Sequence, residues 1–390
     1  MSNIINFGGG ATNIPTPFKP EGKSYLTFSS PSSFTLAVND ATKHWDGTLE
    51  YFDSDKTWTV WNGTTTLSAV DNDGERVLYL RGAGNTKITG LTADGPSDIY
   101  RWVLTGSDIA CVGNIENLLD YATVESGQHP TMAEACYGYM FKGCTGLTKA
   151  PALPATTLAN YCYSGMFSGC TSLTKAPALP ATTLVNYCYY QMFRGCKLLT
   201  QAPALPATTL ANYCYYFMFL NCTSLTQAPA LPATTLADYC YMGMFSGCTS
   251  LTQAPALPAT TLANYCYSHM FKGCTSLTKV PALPATTLAD YCYMGMFNGC
   301  TSLKLSSTQT EEYTQEYRIP TTGAGTTATD ALTDMFTSTG GTFTGAPEIN
   351  TTYYLSTDNM VVRDTEIATL NGYVGSMIDV AIGNAIGGSY

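Results

Sequence analysis

CTSLTKAPALPATTLVNYCYYQMFRG, residues 170–195, is one copy of a 26-residue unit that recurs almost unchanged between residues 135 and 305. Self-similarity at such a period is typical of a stacked array, in which each unit buries its apolar side chains against its neighbours. Seven copies follow one another without insertion or deletion, and each carries two cysteines eight residues apart. The pairs are Cys136/Cys144, Cys162/Cys170, Cys188/Cys196, Cys214/Cys222, Cys240/Cys248, Cys266/Cys274 and Cys292/Cys300.

The unit has two local structural signals. Its segment 187–193 predicts a helical turn or short helix, which Gly195 ends. Its segment 174–179 predicts extended chain, because Pro177 and Pro180 prevent helix and favour β or polyproline geometry in the residues before them. Pro177 also lacks an N–H, so we expect an interrupted strand ladder. The expected core positions are Leu173, Ala176, Leu179, Leu184, Met192 and Phe193.

The segments on either side of the array at 135–305 are predicted to cap it, because an open end would expose apolar side chains. A degenerate unit at 107–134 serves the N-terminal end, and the segment 306–364 serves the other. Within the latter, MFTSTGG at 335–341 repeats the Met-Phe of the unit without its cysteines. The apolar residues of the N-terminal cap are Ile109, Val112, Ile115, Leu118 and Leu119.

Beyond the caps, the chain changes character. Residues 1–23 are rich in Gly, Asn and Pro and predict an irregular arm, either disordered or docked on a partner. Residues 24–106 alternate with period two and predict a β-sandwich. Residues 365–390 place apolar side chains at helical spacing, which favours a self-associating or partner-inserting helix, or one folded over the end of the array. The predicted strands are 25–29, 34–38, 48–52, 57–61, 76–81 and 99–105.

The order Cys-x-x-Leu, Leu-Pro, Leu, aromatic and Phe-x-x-Cys resembles the BspA-like class of leucine-rich repeats over about residues 111–305. The resemblance implies an α+β fold, with the β-sandwich followed by a leucine-rich repeat solenoid of seven repeats. The sequence of residues 49–59, then the array, then residues 335–354 is similar to leucine-rich-repeat proteins of bacteriophages and prophages. Those are commonly virion-associated, tail or fibre proteins, whereas many BspA-like proteins are bacterial surface adhesins.

Composition narrows the possible partners. Charged residues make up 12% of the chain, and the formal net charge is −10. The array has no basic stripe, so we expect no binding of nucleic acid through its phosphates. From residue 151 to residue 300 the only charged side chains are Lys175, Arg194, Lys197, Asp238, Lys272, Lys279 and Asp290.

Fifteen cysteines raise the alternatives of disulfides or metal sites. Because fourteen of them recur in two fixed columns, packing as small hydrophobic side chains is favoured, with a disulfide or metal role as the alternative. Zinc sites need closely paired cysteines or nearby histidines, and this chain has only His44, His129 and His269. We therefore expect no metal and no cofactor.

No motif for catalysis is present: we find no nucleophile–base pair, phosphate loop or paired carboxylates, so we predict that the chain is not an enzyme. Residues 1–10 have neither a basic nor an apolar signal region, and no stretch has eighteen apolar residues. We therefore expect synthesis in a cytoplasm. The chain would then act inside the cell, lose an export signal by trimming, or leave within an assembled particle.

Two columns of the repeat vary from copy to copy, and we predict that they face outwards because core positions tolerate little variation. One runs from Ser164-Gly165 to Met294-Gly295, and the other contains Ser168 and Arg194. This face is either a ligand-binding surface or a contact with another subunit or the β-domain. The candidate ligand-binding residues are Tyr190, Gln191, Tyr216, Phe217, Met242, His269, Met294, Arg194 and Lys272.

A third column, beside the predicted strands, is polar. With the threonines at 156 and 157 and their equivalents, it offers hydrogen bonds suited to sugars, or is solvated surface. Its members are Lys149, Lys175, Gln201, Gln227, Gln253 and Lys279.

Three functional hypotheses follow. The first is a virion-associated fibre or adhesion protein, attached to other virion proteins through the arm and β-domain, that binds a host glycan or protein. The second is a bacterial cell-surface adhesin, and the third is a structural or decoration protein of a particle without a receptor. We also predict a homo-oligomer, for example a trimer. The low charge of the array and its apolar strips favour burial of these surfaces against other subunits.

Overall fold

The computed structural model describes residues 18–22, 24–40, 44–92 and 95–362. Most of the predicted arm and the whole predicted C-terminal helix at 365–390 lie outside these residues. The described chain contains one 3₁₀ helix, Ile115–Leu118, and one α-helix, α1, Tyr121–Glu125. Its strands are β1 Leu26–Ser30, β2 Thr35–Val38, β3 Thr48–Phe52, β4 Trp58–Trp61, β5 Leu67–Ser68, β6 Val70–Asn72, β7 Glu75–Ala83, β8 Gly90–Thr92, β9 Gly95–Tyr100, β10 Trp102–Thr105, β11 Ile109–Val112, β12 Leu147–Lys149, β13 Lys279–Pro281, β14 Lys304–Ser306, β15 Tyr313–Arg318, β16 Gly340–Gly341, β17 Thr352–Ser356 and β18 Met360–Val362.

The N-terminal part is built from antiparallel sheets that continue into the array. Seven strands form one sheet in the order β12-β11-β1-β7-β3-β4, with β6 also paired to β7. A second sheet has the order β10-β2-β5, and β8 pairs with β9. The first repeat supplies β12, which pairs in parallel with β11. Five of the six predicted strands of this region match observed strands, and the predicted strand at 99–105 is divided between β9 and β10, which belong to different sheets. The description of this region as a sandwich stays a prediction.

The array is held together by backbone hydrogen bonds that run between copies. In residues 161–170, every second N–H bonds within its own turn, as when Ser164 N donates to Tyr161 O over 3.1 Å. The N–H groups in between donate to the next copy, as when Tyr163 N donates to Cys188 O over 3.0 Å and Phe167 N to Met192 O over 2.9 Å. This alternation satisfies the backbone only when a neighbouring copy is present.

The prediction of a helical turn or short helix at 187–193 is wrong, and so is the α+β class. A helix requires negative φ throughout and N–H groups that bond within the segment. Here each of the six copies from residue 161 onwards has three residues at positive φ, spaced four apart: in one copy Tyr161 at 59°, Gly165 at 58° and Gly169 at 78°. The described chain is therefore made of strands and turns with almost no helix.

The proline-containing segments form only isolated bridges between copies. Lys149 pairs with Lys175, Gln201 with Gln227, and Gln253 with Lys279, all in parallel. Because a proline in each segment has no N–H to donate, regular strand pairing cannot continue through it. The predicted interruption of the ladder is confirmed.

Inside the stack, identical side chains pack on one another. The Phe column is spaced 5.7 Å between Phe167 and Phe193, and the buried Tyr column 6.0 Å between Tyr163 and Tyr189, measured between ring centroids. All fifteen cysteines are buried free thiols, which agrees with their predicted packing. Those of the second column also donate across copies: Cys222 Sγ lies 3.1 Å from Phe193 O. One hydrophobic core therefore extends from the N-terminal sheets through the array.

A polar ladder runs along the edge of the stack. The side-chain oxygen of Asn186 accepts the N–H of Asn212 over 3.1 Å, that of Asn212 accepts the N–H of Asp238 over 3.2 Å, and that of Asp238 accepts the N–H of Asn264 over 2.9 Å. This role could not be predicted from the sequence, because Asn and Asp are common in turns of all kinds. Each such bond ties one copy to the next.

Both ends of the array are covered. At the N-terminal end, the ring of Phe141 packs 6.1 Å from Trp102 and 6.1 Å from Phe28, centroid to centroid. At the other end, Phe336 stacks 6.1 Å from Phe297, and Phe297 N donates to Met335 O over 3.0 Å. The segment around residues 331–337 thus accepts the hydrogen bonds that a further copy would accept.

Candidate recognition surface

We call the nine predicted ligand-binding residues the variable surface, and the structure places their side chains at different depths. Its Tyr, Phe, Met, His and Gln members are half-buried, whereas Arg194 and Lys272 are exposed. The prediction that both variable columns face outwards is wrong for their small members. Ser164, Ser168 and Ser268 are buried, at 1%, 9% and 0% exposure. Ser268 Oγ also donates to Met294 O of the next copy over 3.2 Å.

The centre of the variable surface is an aromatic cluster with a polar edge. Tyr190 and Tyr216 stack with centroids 5.0 Å apart and planes at 2°, and Phe217 packs edge-on to Tyr216 at 4.4 Å. Gln191 Nε2 donates to the Tyr190 hydroxyl over 3.1 Å, and Arg194 Nη1 donates to Gln191 Oε1 over 3.3 Å. These bonds hold the amide and the guanidinium beside the rings.

One position of the variable surface holds either a large residue or a glycine, and each glycine is covered by the large residue of the preceding copy. A Cβ added to Gly243 would overlap the ring of Phe217, and one added to Gly295 would lie 2.8 Å from His269 Nε2. In the first copy, the ring of Tyr139 covers Gly165 in the same way. Because all these positions have φ between 50° and 59°, glycine also removes backbone strain. Part of the sequence variation therefore reflects packing between copies.

Burial sets the charge state of the surface. It lowers the pKa of His269, and Lys272 lowers it further while Asp334 opposes the change. Burial, with Tyr139 and Tyr216 nearby, raises the pKa of Tyr190 to about 12. Both side chains are therefore neutral near pH 7, which leaves Arg194 and Lys272 as the cations of the variable surface.

A column of constant tyrosines lies beside the variable surface, and it was not among the predicted ligand-binding residues because that prediction rested on variation between copies. These rings are half-buried and stack at 4.3–4.6 Å between centroids with planes within 9°. Since each ring face is covered by the next ring, ligands meet ring edges and hydroxyl groups rather than open faces. The residues are Tyr161, Tyr187, Tyr213, Tyr239, Tyr265 and Tyr291.

The predicted polar column lies on the bridges described above, next to an apolar groove. A cavity of about 600 Å³ is lined by Pro151, Leu153, Pro177 and neighbouring residues, with Lys149 and Lys175 on its wall. A further cavity of about 330 Å³ continues the groove towards Pro203. The chain thus offers a second concave surface made of its proline segments.

The thiols do not offer reactive chemistry. Burial raises the pKa of Cys144 to about 11 and that of Cys162 to about 12, so thiolate is scarce at neutral pH. Within the described residues, no group of three or more His, Cys, Asp or Glu is placed to hold a metal ion. In that same part of the chain, no helix has the length and apolar character to cross a membrane.

Comparison with known protein families identifies the array. The family described as BspA type Leucine rich repeat region matches residues 120–244 and 217–317, in six copies. These matches span 198 of the 390 residues. The chain belongs to the BspA-type leucine-rich repeat family. Neither the search of curated proteins nor the search of solved structures found a match.

The BspA-type repeats suggest a surface or adhesion-type repeat protein. Stacked repeats of this kind create extended lateral surfaces for binding, which fits such a role. The family match counts six copies, whereas the seven cysteine pairs predict seven.

Proposed function

We propose that this BspA-type protein is a non-enzymatic adhesion protein whose repeat array binds a glycan or protein on a host surface through the variable surface. The observation that carries the proposal is the half-exposed aromatic cluster of Tyr190, Tyr216 and Phe217, which varies between copies over an invariant buried core. Amphipathic aromatic side chains of this kind are enriched at binding interfaces.

Because both ends of the array are covered, a partner is expected to bind along its sides rather than at its ends. Trp102 packs on Phe141 at one end and Phe336 on Phe297 at the other, so neither end of the apolar core is open in the described residues. A partner therefore meets the sides of the stack. Ring edges and hydroxyl groups of the tyrosine column add hydrogen-bonding capacity there.

The experiment compares two double variants in the same copies. Tyr190→Ala/Tyr216→Ala removes the stacked pair of the variable surface, and Gln201→Ala/Gln227→Ala removes a bridged pair from the polar column. We expect the tyrosine variant to lower attachment of purified protein to host cells by at least about tenfold, since hot-spot aromatics carry 2 kcal/mol or more each. The glutamine variant should attach like the unmodified protein.

Thermal melting of both variants separates binding from folding. Attachment that is unchanged in the tyrosine variant, or lost only above its melting temperature, would refute the variable surface as the binding face. Attachment lost only in the glutamine variant would assign binding to the polar column.

For location we propose a virion, reached through the arm and β-domain, with a bacterial cell surface as the alternative and a homo-oligomer as the assembled form. The looser similarity of residues 49–59 and 335–354 to phage proteins supports this, and the family match itself speaks of no virus. Electron microscopy with an antibody against the chain tests it: label on particles supports the virion, and label on cell envelopes supports the alternative.

A further inference from the structure

Three cations gather at the N-terminal end of the variable surface, although the chain as a whole has a net charge of −10. Lys142 and Arg194 occupy the same repeat position two copies apart, and the copy between them has the small, buried Ser168 there. Arg101, from the segment between β9 and β10, joins them: its Nη1 donates to Lys142 O over 2.9 Å. A gap bordered by cationic side chains therefore lies across three copies.

The cations are held next to aromatic and amide groups. Lys142 Nζ lies 5.4 Å from the centroid of the Tyr139 ring, which in turn covers Gly165. On the far side, Arg194 is held by Gln191, and Gln191 by the Tyr190 hydroxyl. The result is a continuous border of Lys142, Tyr139, Tyr190, Gln191 and Arg194 in which every polar group can donate a hydrogen bond.

No carboxylate neutralises this border in the part of the chain that the structure describes. The described part of the chain has four ion pairs, and none of them includes Arg101, Lys142 or Arg194. Burial lowers the pKa of Lys142, and the charges of Arg101 and Arg194 lower it further. Bringing an anion between these cations would relieve their mutual repulsion.

We propose that Arg101, Lys142 and Arg194 form a binding site for the sulfate or carboxylate groups of an acidic polysaccharide. The proposal rests on the adhesion function above and specifies its ligand class. Guanidinium groups bind such planar or tetrahedral anions through paired hydrogen bonds, and the ammonium adds a point charge. A polysaccharide fits better than a nucleic acid, because three cations on an acidic chain are few for a polyphosphate.

The test measures binding of the full chain to immobilised dextran sulfate, polygalacturonate and neutral dextran of similar length. Lys142→Gln/Arg194→Gln removes two of the cations, and Lys19→Gln/Lys56→Gln removes two exposed charges outside the array, so that both variants carry the same net charge. We expect binding to one or both acidic polymers and not to dextran, a loss of at least tenfold in the first variant, and less than twofold in the second.

The polymer that binds distinguishes sulfate from carboxylate. Equal losses in both variants, binding to neither acidic polymer, or tighter binding to a single-stranded oligonucleotide would each overturn the site. Cell attachment is measured on the same samples. If the Lys142/Arg194 variant attaches to cells like the unmodified protein, the anion site fails and the adhesion function stands, whereas failure of the unmodified protein to attach rejects the adhesion function itself.

Discussion

The ring of Phe217 covers the α-carbon of Gly243 in the next copy, and a Cβ at Gly243 would overlap that ring. Gly243 also has φ of 59°, which an L side chain adopts only with strain. Two neighbouring copies are therefore matched in size at this position. Their sequences cannot vary independently there, although the position belongs to the most variable part of the repeat.

Gly243→Ala should lower the free energy of unfolding by roughly 2 kcal/mol or more, from overlap and left-handed strain together. Gly84→Ala is the matched control, because Gly84 has φ of 64° and no atom within 4 Å of an added Cβ. Denaturant unfolding compares the two. Phe217→Ala added to Gly243→Ala should restore part of the loss, and equal effects of the two glycine changes would contradict the size match.

Asn212→Ala should cost about 1 kcal/mol, because the side-chain oxygen accepts the N–H of Asp238 over 3.2 Å. Asn160 occupies the same repeat position, and within the described part of the chain its side-chain oxygen accepts no such bond. Thermal melting of Asn160→Ala should therefore show a smaller loss. If the ladder does not stabilise the fold, Asn212→Ala and Asn160→Ala will have the same melting temperature.

Asn359→Ala should open the C-terminal end of the array. Asn359 is 2% exposed, its Nδ2 donates to Thr278 O and Ser302 O, each over 3.1 Å, and its Oδ1 accepts the N–H of Lys304 over 2.9 Å. Losing these bonds should cost roughly 2–4 kcal/mol. We expect concentration-dependent association by light scattering, since the exposed end can pair with another chain. A variant that keeps the unmodified protein's melting temperature and mass would contradict this role.

Raising the pH above 9 should destabilise the folded protein. Burial raises the pKa of Cys162, Cys214 and Cys222 from 9.0 to about 12. A folded-state pKa above the unfolded value means that stability is fully present below pH 9 and is lost as pH rises towards 12. Each such thiol loses roughly 1.4 kcal/mol per pH unit in that window. Melting temperature measured from pH 7 to pH 11 should fall steeply above pH 9, whereas a flat profile would show thiols that ionise freely in the fold.

Much of this architecture could be predicted from the sequence, because stacking repeats must place constant apolar residues inside. The leucine, cysteine and Met-Phe positions follow from that rule. The strands of the N-terminal sheets follow from the alternation of apolar residues with period two, and the interruption at the prolines follows from their missing N–H. The turn segment at 187–193 could not be predicted, because its hydrogen bonds depend on a neighbouring copy and its residues Tyr187 and Gln191 adopt positive φ. Local propensity predicts the conformation of an isolated segment, whereas about half of the backbone hydrogen bonds of this segment form only with the next copy.

The candidate surface was predicted in part, for a related reason. Variation between copies located Tyr190, Tyr216 and Arg194, but it also selected Ser164 and Ser268, which are buried. Lys142 was not among the predicted ligand-binding residues, because the two variable columns were taken to begin at the second copy. The signal was present, since Lys142 occupies the same repeat position as Arg194 and Lys272.

Native-state hydrogen exchange tests most directly whether the copies form one continuous stack with a contact surface along its side. The amides of Tyr215, Phe219, Tyr241 and Phe245 donate to the following copy, so they should exchange slowly, at rates that report global unfolding. Ligand or host-cell extract should further protect the segment 187–194 without changing the central core amides. Fast exchange of the cross-copy amides, or protection that differs independently from copy to copy, would contradict a single stack.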